Sequence, residues 1–255
     1  MANCNPATIP MEINAKLEIE IEEEPTDLTL FKQVGSIRYL CNTRSDICDS
    51  LGVVSRFMER PKHSHWLAVK RIMRYIQGTI GHGIMFATNL KHENEDLVGY
   101  SYSDWCGDKN DIKRTSGYVF KFMKSPIAWS SKKQPVIALS SCKAEYIDVS
   151  YEACQALWLE SLTTELKMEI CRPIPLLIDN ISTINLAKNH VSHERSKYIE
   201  TKFHFLRDQV ERSKLKLIYC QTEVQLTDIM TKALRTSIFE FVRRLLSVKS
   251  LRNLD

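Results

Sequence analysis

The order of hydrophobic patterns after residue 96 constrains the fold more than any other feature of this 255-residue chain. Three short stretches alternate apolar and polar residues and are joined by turn-forming segments, which is typical of an antiparallel meander. These stretches are Leu97–Ser103, Gly117–Phe122 and Ile127–Ser130. A long helical pattern then runs from Cys142 to Lys167, with apolar residues three or four positions apart along one side.

A strand that leads directly into a helix follows this long helix. Leu176–Asp179 is a short apolar run that ends in an acid, and a helical pattern begins three residues later at Ser182. Such a unit implies parallel strand pairing. The remaining elements are a helix over Ser196–Arg212, a strand over Leu215–Cys220 and a helix that begins near Gln225. The sequence therefore predicts an α/β fold with a mixed five-stranded sheet flanked by helices.

A small helical segment precedes this part of the chain. The apolar spacing between Phe31 and Tyr75 predicts three helices, and a short strand is expected over Gly83–Phe86. The charged and amide-rich residues 89–96 mark the expected boundary. At the other end, residues 238–251 show a helical apolar stripe of Phe239, Val242 and Leu246, which indicates a helix that packs on the rest of the protein.

Charge is distributed unevenly along the chain, whose formal net charge is +4. Residues 1–30 contain seven acids and one base, so they carry −6 and the remainder carries +10. Such an excess favours polyanionic partners, although an ordinary solvated surface explains it as well. Lys70, Arg71 and Arg74 lie close together on the third predicted helix, where they form either a phosphate-binding face or a solvated one.

Several classes of protein are not expected from the composition. No apolar run is long enough for a membrane helix, and the N-terminus shows no secretory signal, so an intracellular protein, cytoplasmic or nuclear and without membrane attachment, is expected. The eight cysteines contain no CxxC pair, which argues against a disulfide framework or a zinc ribbon.

Four acids are expected near the carboxyl ends of the central strands, where ligands of such sheets bind. They are Asp104 after the first strand, Glu145 in the first turn of the long helix, Asp179 after the fourth strand and Asp228 in the last helix. Carboxylates brought together repel one another unless a cation compensates them, and two Mg²⁺ ions are a natural compensation. The alternative is that each acid caps a helix or is a surface charge.

Motifs in this region identify a resemblance to a known family. In chain order they read DWCGD, RTSGYVF, PIAWSSKKQPVIALSS, AEYI, IDNISTINLAKN, KFHFLR and QLTDIMTKAL. Together they resemble the RNase H domain of copia-type retrotransposon polyproteins. The upstream blocks VGSIRYL, NTRSDI, SRFMERP and HWLAVKRIMRYIQGT resemble the C-terminal end of the reverse transcriptase region of the same polyproteins.

The resemblance implies three metal-binding acids: Glu145 in AEYI, Asp179 in IDN and Asp228 in LTDIMTK. The first acid of the family departs from the pattern. The family usually reads Tyr-Ser-Asp-Ala-Asp-Trp, and here Tyr102 occupies the position of the first aspartate, with Asp104 two residues further on. Two residues along a strand correspond to about 6.6 Å, so Asp104 is a displaced fourth ligand and two-metal binding is expected to weaken.

The family further implies the partition and the activity of the chain. Residues 1–92 are expected to be a helical remnant of the reverse transcriptase region with an acidic linker at 17–27, residues 93–235 an RNase H-like domain, and residues 236–255 a helical tail. The implied activity is two-metal hydrolysis, with Mg²⁺ or Mn²⁺, of the RNA in RNA–DNA hybrids, alongside a separate reverse transcriptase. A polymerase is not expected, because the Tyr-X-Asp-Asp motif is absent. The alternative is a catalytically inactive module that binds nucleic acid.

Overall fold

The structure, a computed structural model, describes residues 4–13, 15, 17–19, 22–86, 97–103, 114–134, 141–188 and 197–251. Helices and strands are numbered in chain order. The helices are α1 (Leu28–Lys32), α2 (Val34–Ile37), α3 (Cys48–Val54), α4 (His63–Gly78), α5 (Ser141–Glu165), α6 (Ile181–Lys188), α7 (Lys197–Glu211) and α8 (Thr236–Leu245). The strands are β1 (His82–Ile84), β2 (Val98–Ser103), β3 (Thr115–Phe122), β4 (Ser125–Lys133), β5 (Ile174–Ile178), β6 (Leu215–Tyr219) and β7 (Val248–Ser250). Short 3₁₀ helices cover Arg38–Asn42, Ser45–Ile47, Ser55–Phe57, Thr222–Val224 and Leu226–Met230.

Five strands form a mixed sheet in the order β4-β3-β2-β5-β6. The pairs β4–β3 and β3–β2 are antiparallel, whereas β2–β5 and β5–β6 are parallel. This arrangement confirms the predicted α/β class and is an RNase H-like fold. Ser101 of β2 pairs with Ile178 of β5. The next residues, Tyr102 and Asp179, therefore lie side by side near the carboxyl ends of these two parallel strands.

The two faces of the sheet belong to different hydrophobic cores. Successive residues of a strand point to opposite faces, and the fully buried Val119 and Phe120 of β3 show this division. Phe120 packs in a core that includes Tyr146 of α5 and Leu206 of α7. Val119 packs in a second core with residues of the N-terminal helices, the 226–230 helix and α8. The sheet is therefore covered on both faces.

The tail helix is confirmed in α8, where Phe239 and Val242 are buried, and Leu246 is buried just beyond it. The end of the predicted stripe is different, since Val248–Ser250 is a strand, β7, that pairs antiparallel with β1. The predicted domain boundary at residues 92–93 lies outside the described residues, so the division of the chain into domains stays a prediction.

Two predicted helices are wrong in detail. The segment after Phe31 is not one helix but α1, α2 and a 3₁₀ turn, and the helix expected near Gln225 is two 3₁₀ helices. The Gln225 side chain explains the latter, because its Nε2 donates to Ser101 O (2.9 Å) while its Oε1 accepts from the Thr227 hydroxyl (2.8 Å). These bonds tie the segment to β2 at the point where an α-helix would begin.

The N-terminal residues lie along α4. The Glu23 carboxylate accepts a hydrogen bond from Ser64 N (2.8 Å) in the first turn of α4, where a negative charge is favourable. Further along the same helix, Arg71 pairs with Glu12 (2.6 Å) and Arg74 Nε donates to Asn5 O (2.6 Å). The predicted basic face of α4 is therefore occupied in part by the protein's own chain. In the described parts of the chain, no helix has the length and apolar character needed to cross a membrane.

Candidate active site

Glu145 lies on α5 on the side that faces the end of β5. It is partly buried, and its Oε2 atom has no hydrogen-bonding partner among the described residues. Burial, assisted by the negative charges of Asp179 and Asp148, raises the pKa of this carboxyl to about 7. A hydrogen bond from the Asn180 amide and the positive charge of Arg114 act in the opposite direction.

Asp179 follows the last residue of β5. Burial, assisted by the negative charge of Asp228, raises its pKa to about 6, and a backbone hydrogen bond and the Lys232 ammonium act in the opposite direction. The raised pKa values of Asp179 and Glu145 share one cause besides burial, which is another carboxylate close by. The structure thus brings the two acids together at one end of the sheet.

Asp228 reaches the same place from the 3₁₀ helix Leu226–Met230. Its carboxylate is buried and lies 2.9 Å from Lys232 Nζ. The helix approaches the sheet closely because β3 has glycine at position 117: a Cβ there would lie 2.8 Å from both Met230 Cβ and Thr231 Cγ2. The three acids Glu145, Asp179 and Asp228 therefore converge from a helix, a strand end and a 3₁₀ helix.

Tyr102 occupies the remaining corner of this cluster, at the end of β2 and opposite Gly117 of β3. Lys232 Nζ lies 3.3 Å from the Tyr102 hydroxyl and 4.5 Å from the centre of its ring. The phenol and the ammonium thus lie where the family resemblance expects an aspartate. Asp104, the displaced fourth ligand of the prediction, lies outside the described residues.

Asp148 is a further acid beside Glu145 that was not predicted from the sequence. It lies one turn after Glu145 on α5, is buried, and accepts hydrogen bonds from Ser116 Oγ of β3 and from Gln134 Nε2 (2.6 Å). Gln134 Nε2 also donates to Ala144 O (3.3 Å), so these bonds join α5 to the sheet directly beside Glu145. The available signal was the three-residue spacing from Glu145, which places both acids on one side of the helix.

The fit to divalent cations differs between the two sides of the cluster. Glu145 and Asp179 offer hard carboxylate oxygens, one of them buried without a hydrogen-bonding partner, which suits Mg²⁺ or Mn²⁺. Asp228 and Tyr102 do not fit a second ion, because the Lys232 ammonium already contacts both. Accordingly, no group of three His, Cys, Asp or Glu side chains suited to a metal is found within the described ranges.

Comparisons with known proteins assign the family. The chain is 39% identical over 242 residues to the retrovirus-related Pol polyprotein from transposon RE1 and 36% identical over 250 residues to that from transposon RE2, both of Arabidopsis thaliana. These matches cover 94% and 97% of the chain. The chain belongs to the copia-type retrovirus-related Pol polyproteins.

The copia-type relatives are much longer than this chain, which spans 16% of the RE1 polyprotein and 17% of the RE2 polyprotein. A shorter relative, the secreted RxLR effector protein 161 of Plasmopara viticola, is 42% identical over 135 residues, which are 52% of this chain and 93% of that protein. No family model matches the sequence. The family assignment therefore rests on the polyprotein relatives, and it identifies the chain as a region of a retrotransposon polyprotein.

Proposed function

We propose that this chain is an RNase H-type endonuclease region that hydrolyses the RNA strand of RNA–DNA hybrids with a divalent cation. The observation that carries the proposal is the convergence of Glu145, Asp179 and Asp228 at the carboxyl end of β5. The family assignment supports it, since the chain covers a region of Pol polyproteins. In a retrotransposon, a reverse transcriptase would produce the RNA–DNA hybrid that this region cleaves.

Glu145 and Asp179 are the residues that would hold the cation. When bound, Mg²⁺ or Mn²⁺ supplies Lewis acidity to a phosphodiester oxygen and lowers the pKa of an attacking water. By holding the cation, the two carboxylates would fix the position of the positive charge that the scissile phosphate contacts. The hydrogen bonds of Asp148 with Ser116 and Gln134 keep α5 in place beside β3. The exposed Lys132 at the end of β4 is available to contact the nucleic-acid backbone.

Protons compete with the cation for this site. With a pKa of about 7, Glu145 is only partly ionised at neutral pH, and Asp179 ionises at about pH 6. Cation binding requires both carboxylates in the charged form. We therefore expect hydrolysis to increase as the pH rises from about 6 to about 8.

A second candidate function is a catalytically silent module that binds the hybrid. The Tyr102–Lys232 contact favours it, since a phenol and an ammonium replace the negative charge that the family places at this corner. In this case the fold and the basic surface would retain affinity for nucleic acid while the phosphodiester remains intact.

Cleavage of a labelled RNA–DNA hybrid separates the two functions. The wild type, Asp179→Asn and Tyr102→Asp would be assayed in Mg²⁺ and in Mn²⁺, with Asp208→Asn as a control for an exposed acid on α7. The nuclease proposal expects cleavage by the wild type and by Asp208→Asn, and none by Asp179→Asn. Binding by the wild type without cleavage, together with cleavage by Tyr102→Asp, would instead establish the silent module.

A further inference from the structure

We propose that the Lys232 ammonium takes the place of one of two divalent cations, so that the site binds a single ion between Glu145 and Asp179. The inference rests on the proposed function and specifies its metal stoichiometry. It starts from the position of Lys232, whose Nζ lies 2.9 Å from Asp228 Oδ1 and 3.3 Å from the Tyr102 hydroxyl.

The contacts of Lys232 are those of a resident cation. Its side chain is 30% exposed and that of Asp228 only 9%, so the ion pair lies in a partly desolvated position. The Tyr102 ring, with its centre 4.5 Å from Nζ, adds a cation–π contact. The ammonium also lowers the electrostatic repulsion around Asp179, as a metal ion on that side would.

A second divalent ion on Asp228 would have to displace this ammonium. Mg²⁺ binds carboxylate oxygens at about 2.1 Å, and a lysine nitrogen already at hydrogen-bonding distance from the same oxygen would repel it. A neutral phenol at position 102 supplies neither the charge nor the carboxylate oxygens that would favour such a displacement.

The charge balance agrees with one ion. The carboxylates of Glu145, Asp179, Asp228 and the neighbouring Asp148 carry four formal negative charges. Arg114, Lys232 and one divalent cation neutralise them, whereas a second divalent cation leaves an excess of two positive charges. Mg²⁺ is commonly held by one or two carboxylates together with substrate phosphates, so Glu145 and Asp179 suffice for one ion.

Counting bound Mn²⁺ by electron paramagnetic resonance of the full-length protein tests the inference without any activity assay. The wild type is expected to bind one equivalent, and Asp179→Asn to bind it at least tenfold more weakly. Tyr102→Asp alone should still bind one equivalent, because Lys232 remains. Tyr102→Asp combined with Lys232→Met should bind two, with the spectral coupling of neighbouring Mn²⁺ ions.

A matched control is Tyr102→Asp combined with Lys216→Met, which removes an exposed lysine of β6 and should leave one equivalent. Tyr102→Asp combined with Lys232→Gln keeps a polar but uncharged side chain at position 232 and should also bind two, which guards against a folding defect of the methionine variant. The inference is overturned if the wild type binds two ions or none, or if Tyr102→Asp alone gains the second. The proposed function is judged separately by hybrid cleavage, so cleavage by a wild type that binds two ions would refute this inference alone.

Discussion

At the scale of single residues, the raised pKa of Glu145 has a cost for folding. An acid whose pKa is about 7 in the folded protein and 4.5 in the unfolded chain binds more protons when folded between these values. The free energy of unfolding therefore falls as the pH rises through this window, and below about pH 4.5 the group contributes no difference. Glu145 therefore lowers the free energy of unfolding at neutral and alkaline pH.

Glu145→Gln should stabilise the protein above pH 7. A shift from 4.5 to about 7 corresponds to roughly 3 kcal/mol as an upper value, and partial exposure reduces it, so we expect a gain of about 1–3 kcal/mol at pH 8 and none at pH 4. Urea titrations at both pH values measure this difference. Glu165→Gln, on an exposed position of the same helix, should change neither value, and an equal gain at both pH values for Glu145→Gln would contradict the prediction.

Asp46 is the centre of a buried polar network away from the site. It accepts two hydrogen bonds from Arg44, at 2.9 and 2.8 Å, and one from the Tyr75 hydroxyl. The same hydroxyl accepts from Arg243 (3.1 Å) of α8, and Arg44 also donates to Thr79 O (3.0 Å). One carboxylate therefore links the N-terminal helices to the tail.

Asp46→Asn should be strongly destabilising, because it leaves the buried Arg44 guanidinium without its counter-charge. We expect the free energy of unfolding to fall by about 3–5 kcal/mol in urea denaturation. Asp208→Asn, which removes the partner of Arg212 in an exposed ion pair, should cost less than about 1 kcal/mol. A similar loss in the free energy of unfolding for the two variants would contradict the prediction that the Asp46 network stabilises the protein strongly.

At the scale of elements, the 3₁₀ helix Leu226–Met230 depends on a glycine in a strand that it crosses. Gly117→Ala would place a methyl group 2.8 Å from Met230 Cβ and Thr231 Cγ2, which forces the helix away from β3. We expect a loss of about 1–3 kcal/mol in the free energy of unfolding, measured by urea denaturation. Gly35→Ala in α2, where a Cβ meets nothing within 4 Å, is the control and should cause no such loss; an unaffected Gly117→Ala would contradict this account.

Helices and strands with a regular spacing of apolar residues were predictable from the sequence, because the buried face of each element must carry apolar side chains. All five strands of the sheet, α5 and α7 were predicted within a few residues of their observed ends. The 3₁₀ helices near Gln225 were not, since their shape depends on a side-chain bond to β2 that is 124 residues away. Likewise, the three acids of the candidate site were proposed from motifs, whereas the contacts of Lys232 with Tyr102 and of Asp148 with Ser116 join segments that are far apart in the sequence.

At the scale of the whole molecule, the hydrophobic core on the Val119 face is shared by three parts of the chain. It joins the N-terminal helices and α8 to Val119 of the sheet and to Leu226 and Met230 of the 3₁₀ helix that carries Asp228. The elements that cover this face of the sheet therefore also hold Asp228 of the candidate site in position.

Residues 93–235 alone should consequently fold poorly. Removing the N-terminal helices and the tail exposes Val119, Leu226 and Met230, which are buried in the whole chain. We expect this fragment to lose the cooperative thermal transition of the full chain and to bind a dye that reports exposed apolar surface. A fragment that melts cooperatively at the same temperature as the full chain would refute the dependence.

The chain segment along α4 has an electrostatic consequence for nucleic-acid binding. Arg71 is paired with Glu12, and Arg74 donates to Asn5 O, so both already have partners in the protein. A phosphate would have to displace these partners, and only basic groups that release counterions contribute to the salt dependence of affinity. The decrease of hybrid affinity with increasing salt should therefore be shallower than the +10 charge of residues 31–255 indicates.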